Sequence, residues 1–363
     1  MPSAVARLVE FGQSPWYDNL TRALATGGLD LLMREHGIRG VTSNPTIFEK
    51  AMAVGTDYDG QLRELVGSGK STEDAYWELV LTDIAHAADR LRPIYDELDG
   101  ADGFVSVEVS PNLAHDTDAT IAQALELWQR LDRPNVMIKI PATPAGIPAI
   151  TEVLSAGVNV NVTLIFSLQR YEEVIEAFTA GLERRVEGHE DVNRLASVAS
   201  FFVSRVDTET DRRLPEGSPL RGRAAVANAK LAYQLFLERL AGPRWEGVSA
   251  AGARKQRPLW ASTSTKNPAY SPTLYVDNLI GRDTVNTLAQ ASLDALSQGD
   301  PNLRPDTILE DVEGARRVMS DLAEAGVDFD DVTATLEREG VDSFAKSFND
   351  ALATLEKKAA ELK

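Results

Sequence analysis

The sequence predicts an α/β fold: one (β/α)8 barrel spanning residues 1–363, with additional helices at its N- and C-terminal ends. Three observations carry that expectation. Short β-branched runs alternate with longer amphipathic stretches, the pattern of βα units around a parallel sheet. Several of the short runs are continuously apolar, as strands covered on both faces must be. Eight such runs can be placed, and a barrel of this kind takes about 250 residues, so the excess falls to added helices rather than to a second domain. A chain of this size buries about 75% of its unfolded surface, enough for one large core.

In chain order the predicted strands are residues 14–18, 40–44, 104–109, 136–140, 158–166, 195–203, 258–262 and 273–276. The helices are read from caps and periods. Asp116-Thr117-Asp118 forms an N-cap cluster ahead of an apolar period near 3.6 over residues 119–131, and residues 168–180 and 224–240 behave in the same way. Residues 343–363 are rich in Ala, Leu, Glu and Lys, with Phe344, Phe348, Leu352 and Leu355 on one stripe. This helix is expected to pack across the barrel, within a helical extension from about residue 305. The Gly-, Pro- and Arg-rich stretches 214–223 and 243–257 read as loops. No internal repeat or low-complexity tract is present.

Composition narrows the function. The chain carries 37 basic and 55 acidic side chains, a net charge of −18. No basic surface is concentrated for nucleic acid, and an anionic substrate must be drawn into a local basic pocket against the field of the whole protein. The absence of cysteine excludes a disulfide scaffold, a thiol nucleophile and thiolate metal sites. The histidines at 36, 86, 115 and 189 show no ligand spacing, so no histidine metal site is expected, although carboxylates alone leave room for magnesium. The first thirteen residues lack the apolar core of a signal peptide, and no run of 18 apolar residues occurs. The expectation is a cytoplasmic protein without a membrane span, either monomer or homodimer. Gly67-Ser-Gly-Lys-Ser71 ends like a phosphate loop, but that pattern needs glycine where Glu64 stands, and the segment reads instead as a helix start.

Chemistry-bearing residues fall at strand ends. Lys139 interrupts Asn135-Val-Met-Ile-Lys-Ile-Pro-Ala-Thr143, a strand otherwise apolar. Either face of a barrel strand takes its amine out of water, and burial favours the neutral form of an amine, which can attack a carbonyl to form a Schiff base. The alternative is an ion-paired lysine reaching solvent at the strand end. Glu108 breaks the apolar run Val105-Ser-Val-Glu-Val-Ser110 near its C-terminal end, where barrel enzymes place their chemistry. Asp18 ends its strand likewise, with a helix N-cap as the plainer role. Asn44 before Pro45, Asn161 and Thr163, and Ser200 and Arg205 complete the set. Each alone is satisfied as a turn or strand-end polar group. Polar residues at the ends of six consecutive predicted strands are harder to read as accident.

Taken together, Gly40-Val-Thr-Ser-Asn-Pro-Thr-Ile-Phe48, Val105-Ser-Val-Glu108, Val136-Met-Ile-Lys-Ile-Pro-Ala-Thr143 and Asn159-Val-Asn-Val-Thr-Leu-Ile-Phe166 resemble the transaldolase family. Segments 199–207, 260–268 and 283–287 extend the resemblance in order over nearly the whole chain, in the manner of a longer bacterial subgroup. The resemblance implies a Schiff-base lysine on the fourth strand, where Lys139 falls. It implies Asp18 as the acid/base for the substrate hydroxyl, with Glu108 and Thr163 holding a water that shuttles protons. It further implies Asn44, Asn161 and Ser200 on the hydroxyls of the three-carbon unit, Phe202 beside them, and Arg205 on the phosphate. Many members carry a second phosphate arginine after a Gly-Ala-Ser segment. Here Trp260-Ala-Ser-Thr-Ser-Thr-Lys266 has serine in its place, leaving Lys266 as a substitute or as a surface lysine, with Ser262 as an additional contact.

The implied reaction transfers a dihydroxyacetone unit from sedoheptulose 7-phosphate or fructose 6-phosphate to glyceraldehyde 3-phosphate or erythrose 4-phosphate. It belongs to the non-oxidative pentose phosphate pathway and uses no cofactor. Two other readings stand beside it. A fructose-6-phosphate aldolase would release free dihydroxyacetone, and that group is expected to carry glutamine and tyrosine where this chain has Glu108 and Phe202. A non-catalytic sugar-phosphate-binding barrel would not need Lys139 or Asp18.

Overall fold

The computed structural model describes residues 3–299 and 301–362, so Met1, Pro2, Asp300 and Lys363, all within the predicted span, lie outside it. Eight parallel strands close into a barrel in sequence order. They are β1 (Gln13–Tyr17), β2 (Gly40–Thr42), β3 (Phe104–Glu108), β4 (Val136–Pro141), β5 (Val160–Ile165), β6 (Ser197–Phe202), β7 (Arg257–Ala261) and β8 (Thr284–Leu288). Helices lie between and around them, which makes this a TIM-type (β/α)8 barrel. No helix among the described residues is long and apolar enough to cross a membrane.

Seven strands fall within a few residues of expectation, and the eighth does not. Residues 273–276 open a short helix, Leu274–Asn278, in which Thr273 Oγ1 donates to Asp277 Oδ2 at 2.7 Å. A β-branched and aromatic run suits any half-buried surface, so composition alone misplaced it. The true eighth strand, Thr-Val-Asn-Thr-Leu, was obscured by polar residues that bond inside the fold, as Thr284 Oγ1 does to the Gly281 carbonyl at 2.6 Å. The expected strand 40–44 stops at Thr42 because Asn44 caps the next helix and Pro45 occupies its first turn. Stretch 243–257 is also not all loop. Pro243 starts the helix Pro243–Ala250, which buries Trp245 and Val248.

The expected helices form: Thr117–Leu131 and Leu168–Glu187 run longer than expected, and Ala224–Arg239 ends one residue earlier. Asp116 caps the first, accepting from Ala119 N–H at 3.0 Å. Ser71 caps the helix Thr72–Glu97 and Lys70 pairs with Glu78 at 2.5 Å, so the segment resembling a phosphate loop is a helix–helix junction. The C-terminal helix, Phe329–Glu361, is one element that includes the predicted stripe. Phe344, Phe348 and Leu355 are buried, and Phe348 meets Tyr76 edge-on at 5.0 Å between ring centroids.

Aligned strands set the interior layers. Glu108 is opposite Lys139, Lys139 opposite Asn161, and Pro141 opposite Thr163. At the other end of the barrel Trp16 fills the interior, its Nε1 donating to Asp102 Oδ1 at 2.9 Å. Gly40 makes room for the indole: a Cβ there would sit 2.4 Å from the ring. Replacing Gly40 with alanine should therefore lower unfolding stability by about 1–3 kcal/mol, the usual cost of overpacking, as measured by chemical denaturation. An unchanged midpoint would show that Trp16 moves freely.

Candidate active site

The C-terminal ends of the strands open into a cavity of about 330 Å3, lined by Asp18, Asn44, Lys139, Ser200, Phe202, Arg205, Ser262 and Lys266 among others. Eight of the eleven residues expected from the sequence therefore line one cavity. The other three, Glu108, Asn161 and Thr163, lie beneath it in the barrel interior.

Lys139 does not reach solvent. Its side chain is buried at the base of the cavity, where Nζ donates to the Ser43 carbonyl at 3.2 Å and lies 3.4 Å from Glu108 Oε2. At that length and direction the second contact is ionic, and Oε2 has no hydrogen-bond partner among the described residues. The Phe344 ring covers the same amine from the C-terminal helix, 5.9 Å from Nζ to its centroid. Burial pushes the Glu108 carboxyl up, against the pull of Lys139 and Arg205. Thr163 Oγ1, on the strand beyond Lys139, is also buried and has no hydrogen-bond partner among the described residues.

Asp18 is not a helix cap. Its N–H bonds the Leu288 carbonyl at 2.9 Å, which extends the β1–β8 ladder, and Thr21 rather than Asp18 accepts from the next helix at Leu24 N–H. The carboxylate is held from the side: Thr42 Oγ1 donates to Asp18 Oδ1 at 2.7 Å. Having given its proton there, Thr42 accepts from Thr287 Oγ1, also at 2.7 Å. Burial raises the Asp18 carboxyl, with Lys139 the strongest opposing influence.

Asn44 is a cap, accepting from Ile47 N–H at 3.0 Å, which leaves its amide nitrogen for the cavity it lines. Ser200 Oγ donates to Asn161 Oδ1 at 2.7 Å, and Asn161 Nδ2 donates to Ser106 Oγ at 3.0 Å, a chain that spans the barrel below Lys139. Thr163 precedes a break in the β5–β6 register, where Leu164 takes a left-handed backbone with φ 58°. For a leucine that conformation costs about 1–2 kcal/mol. It directs the side chain against Gly340 of the C-terminal helix, where an added Cβ would come within 2.9 Å of Leu164 Cδ2.

The outer end of the cavity is basic. Arg205 begins the helix Ser204–Arg213, its guanidinium 5.3 Å from the Phe202 ring centroid and 6.0 Å from that of Phe344. Neither Arg205 nor Lys266 forms an ion pair among the described residues. Burial and the Arg205 charge both lower the hold of Lys266 on its proton, which brings the two cations close enough to feel each other. Two neighbouring cations without a counter-ion, Arg205 half-buried and Lys266 exposed at the rim, suit an anion. Ser262, with φ 57°, shares a hydrogen bond with Ser204 Oγ at 2.9 Å at the root of the same helix. No cluster of three or more His, Asp or Glu side chains that would hold a metal ion occurs among the described residues.

Sequence reasoning missed Thr42, Lys50, Ser343 and the catalytic-side placement of Phe344, all of which line the cavity. Lys50 follows Ile47 by three positions and shares its helix face, a signal that was available. Ser343 and Phe344 arrive from some 200 residues further along than Lys139, and no local pattern links them to it.

Residues 15–355 match the family described as Transaldolase/Fructose-6-phosphate aldolase. A transaldolase of Saccharopolyspora erythraea is 50% identical over 365 residues, covering 99% of each chain. One of Acidothermus cellulolyticus is 50% identical, covering 98% of this chain and 96% of its own. Another, of Thermobifida fusca, is 49% identical and covers 97% of each. A barrel with a buried lysine at the end of its fourth strand, flanked by two carboxyls and open to a basic rim, thus belongs to the transaldolase/fructose-6-phosphate aldolase family.

Proposed function

We propose that this chain is a transaldolase working through a Schiff base on Lys139, which transfers dihydroxyacetone from fructose 6-phosphate or sedoheptulose 7-phosphate to an aldose phosphate. The observation that carries the reading is the amine of Lys139 at the base of the cavity, 3.4 Å from one buried carboxylate and facing a second, Asp18, across it. As the free amine, Lys139 adds to the ketose carbonyl, and the carbinolamine loses water to give an iminium. Glu108, whose carboxyl burial makes a ready proton holder, and Thr163 support a water that moves protons in these steps. Asp18 then takes the proton of the C4 hydroxyl. The C3–C4 bond breaks, its electron pair flows to the iminium, and the aldose phosphate leaves. The three-carbon enamine stays on Lys139 until a second aldose phosphate accepts it and hydrolysis frees the new ketose.

The rest of the cavity supports matching roles. Asn44 and Ser200 suit the hydroxyls of the three-carbon unit, with Asn161 orienting Ser200 from below. Arg205 and Lys266, with Ser262 beside them, suit the phosphate. Such substrates are charged and do not cross membranes unaided, which is consistent with a cytoplasmic enzyme. Glu108 and Phe202 favour transfer over release of free dihydroxyacetone, because a tyrosine hydroxyl at the latter position would add a proton carrier that this chain lacks.

Borohydride reduction in the presence of fructose 6-phosphate should attach the three-carbon unit to Lys139, located by peptide mass mapping, and Lys139→Arg should show neither adduct nor turnover. An adduct on another lysine, or near-normal turnover of the arginine variant, would refute the assignment. Glu108→Gln keeps the shape but cannot take a proton, and should lower kcat by about 100-fold or more, read in a coupled assay for glyceraldehyde 3-phosphate.

A further inference from the structure

Behind Lys266 a second chamber of about 360 Å3 opens, walled by Asp207, Asp211, Tyr270 and Tyr275. Both aspartates belong to the helix Ser204–Arg213 that carries Arg205, one turn apart. Asp207 accepts from Tyr275 Oη at 2.9 Å and from Ala225 N–H at 2.8 Å. Asp211 accepts from Tyr270 Oη at 2.5 Å and from Gly222 N–H at 2.9 Å. Burial and the Asp211 carboxylate push the Tyr270 hydroxyl up to about 12, so it remains a donor. Its ring lies against Gly222, where a Cβ would come within 2.7 Å of Tyr270 Cζ.

The stretch carrying Lys266 runs from the end of β7 to the short helix at Leu274 without regular structure. It is tied to the Arg205 helix on either side of Lys266. On one side Ser204 N–H bonds the Ser262 carbonyl at 3.0 Å and the two hydroxyls meet. On the other stands the Tyr270–Asp211 bond. Among the described residues, the hydrogen bonding of Lys266 itself is only short-range, to Ser264 Oγ at 2.9 Å.

We propose that Tyr270 is a positioning residue: its hydrogen bond to Asp211 fixes the loop bearing Lys266 against the helix bearing Arg205, so that both cations meet one phosphate group. This rests on the reading of Arg205 and Lys266 as the phosphate grip. Without the bond, the loop must be ordered each time a phosphate binds, and that entropy is lost from affinity rather than from the chemical step.

The test compares wild type, Tyr270→Phe and Lys266→Ala, with inorganic phosphate as a competitive inhibitor and fructose 6-phosphate or unphosphorylated fructose as donor. Tyr270→Phe keeps the ring against Gly222 and removes only the hydroxyl. Its inhibition constant for phosphate and its KM for fructose 6-phosphate should each rise about tenfold, with kcat and the turnover of fructose unchanged. Unchanged phosphate inhibition and KM in Tyr270→Phe, alongside weakened values in Lys266→Ala, would overturn the positioning role alone. Unchanged values in Lys266→Ala would overturn the phosphate grip and this proposal with it. A fall in fructose turnover equal to that with fructose 6-phosphate would also overturn it, since the effect would then not be confined to phosphate.

Discussion

The site depends on keeping a lysine amine buried at the base of the cavity beside a carboxylate. Nζ of Lys139 is held by the Ser43 carbonyl at 3.2 Å and stands 3.4 Å from Glu108. Both contacts follow from strand register, since Glu108 and Lys139 are direct partners on β3 and β4 and Ser43 follows β2. An isolated charge at this depth would be strongly disfavoured, so the amine and the carboxylate are retained as a pair. Burial raises the Glu108 carboxyl while Lys139 opposes it, and the two side chains face each other at the bottom of the cavity. Asp18, on the opposite wall, is held by its own hydroxyl chain through Thr42 and Thr287.

The C-terminal helix completes the enclosure. Phe344 covers both Lys139 and Arg205, while Thr46 Oγ1 and Ser347 Oγ tie the helix to the Asn44-capped helix at 2.8 Å. The same helix receives Leu164 at Gly340, which links it to the strained backbone directly after Thr163. Strain of this kind persists only where surrounding packing holds it, and bulges are frequent beside active sites. The helix is therefore a wall of the site, and its packing and the position of Thr163 are one problem.

Much of this was legible in the sequence. Lys139 and Glu108 stood out because a charge in an apolar strand needs a partner, and the partner was the adjacent strand's own exception. The cap at Asp116 and the helix start after residue 71 were local and read correctly. What the sequence concealed was non-local. Thr284–Leu288 reads as polar because its threonine and asparagine side chains find partners only once the barrel closes, as Asn286 does with Thr263. Asp18 reads as a cap until β8 is placed beside it. Phe344 reads as one more apolar position on a stripe, and nothing in its neighbourhood says that the stripe ends over Lys139, far earlier in the chain.

The account turns on the enamine surviving on Lys139 until an aldose phosphate arrives. The most direct measurement is glyceraldehyde 3-phosphate release from fructose 6-phosphate, with and without erythrose 4-phosphate, in a chelated buffer. Sustained turnover only when the acceptor is present is the predicted result. Equal turnover without it would mean that water discharges the enamine freely, and would contradict transfer as the function of this site.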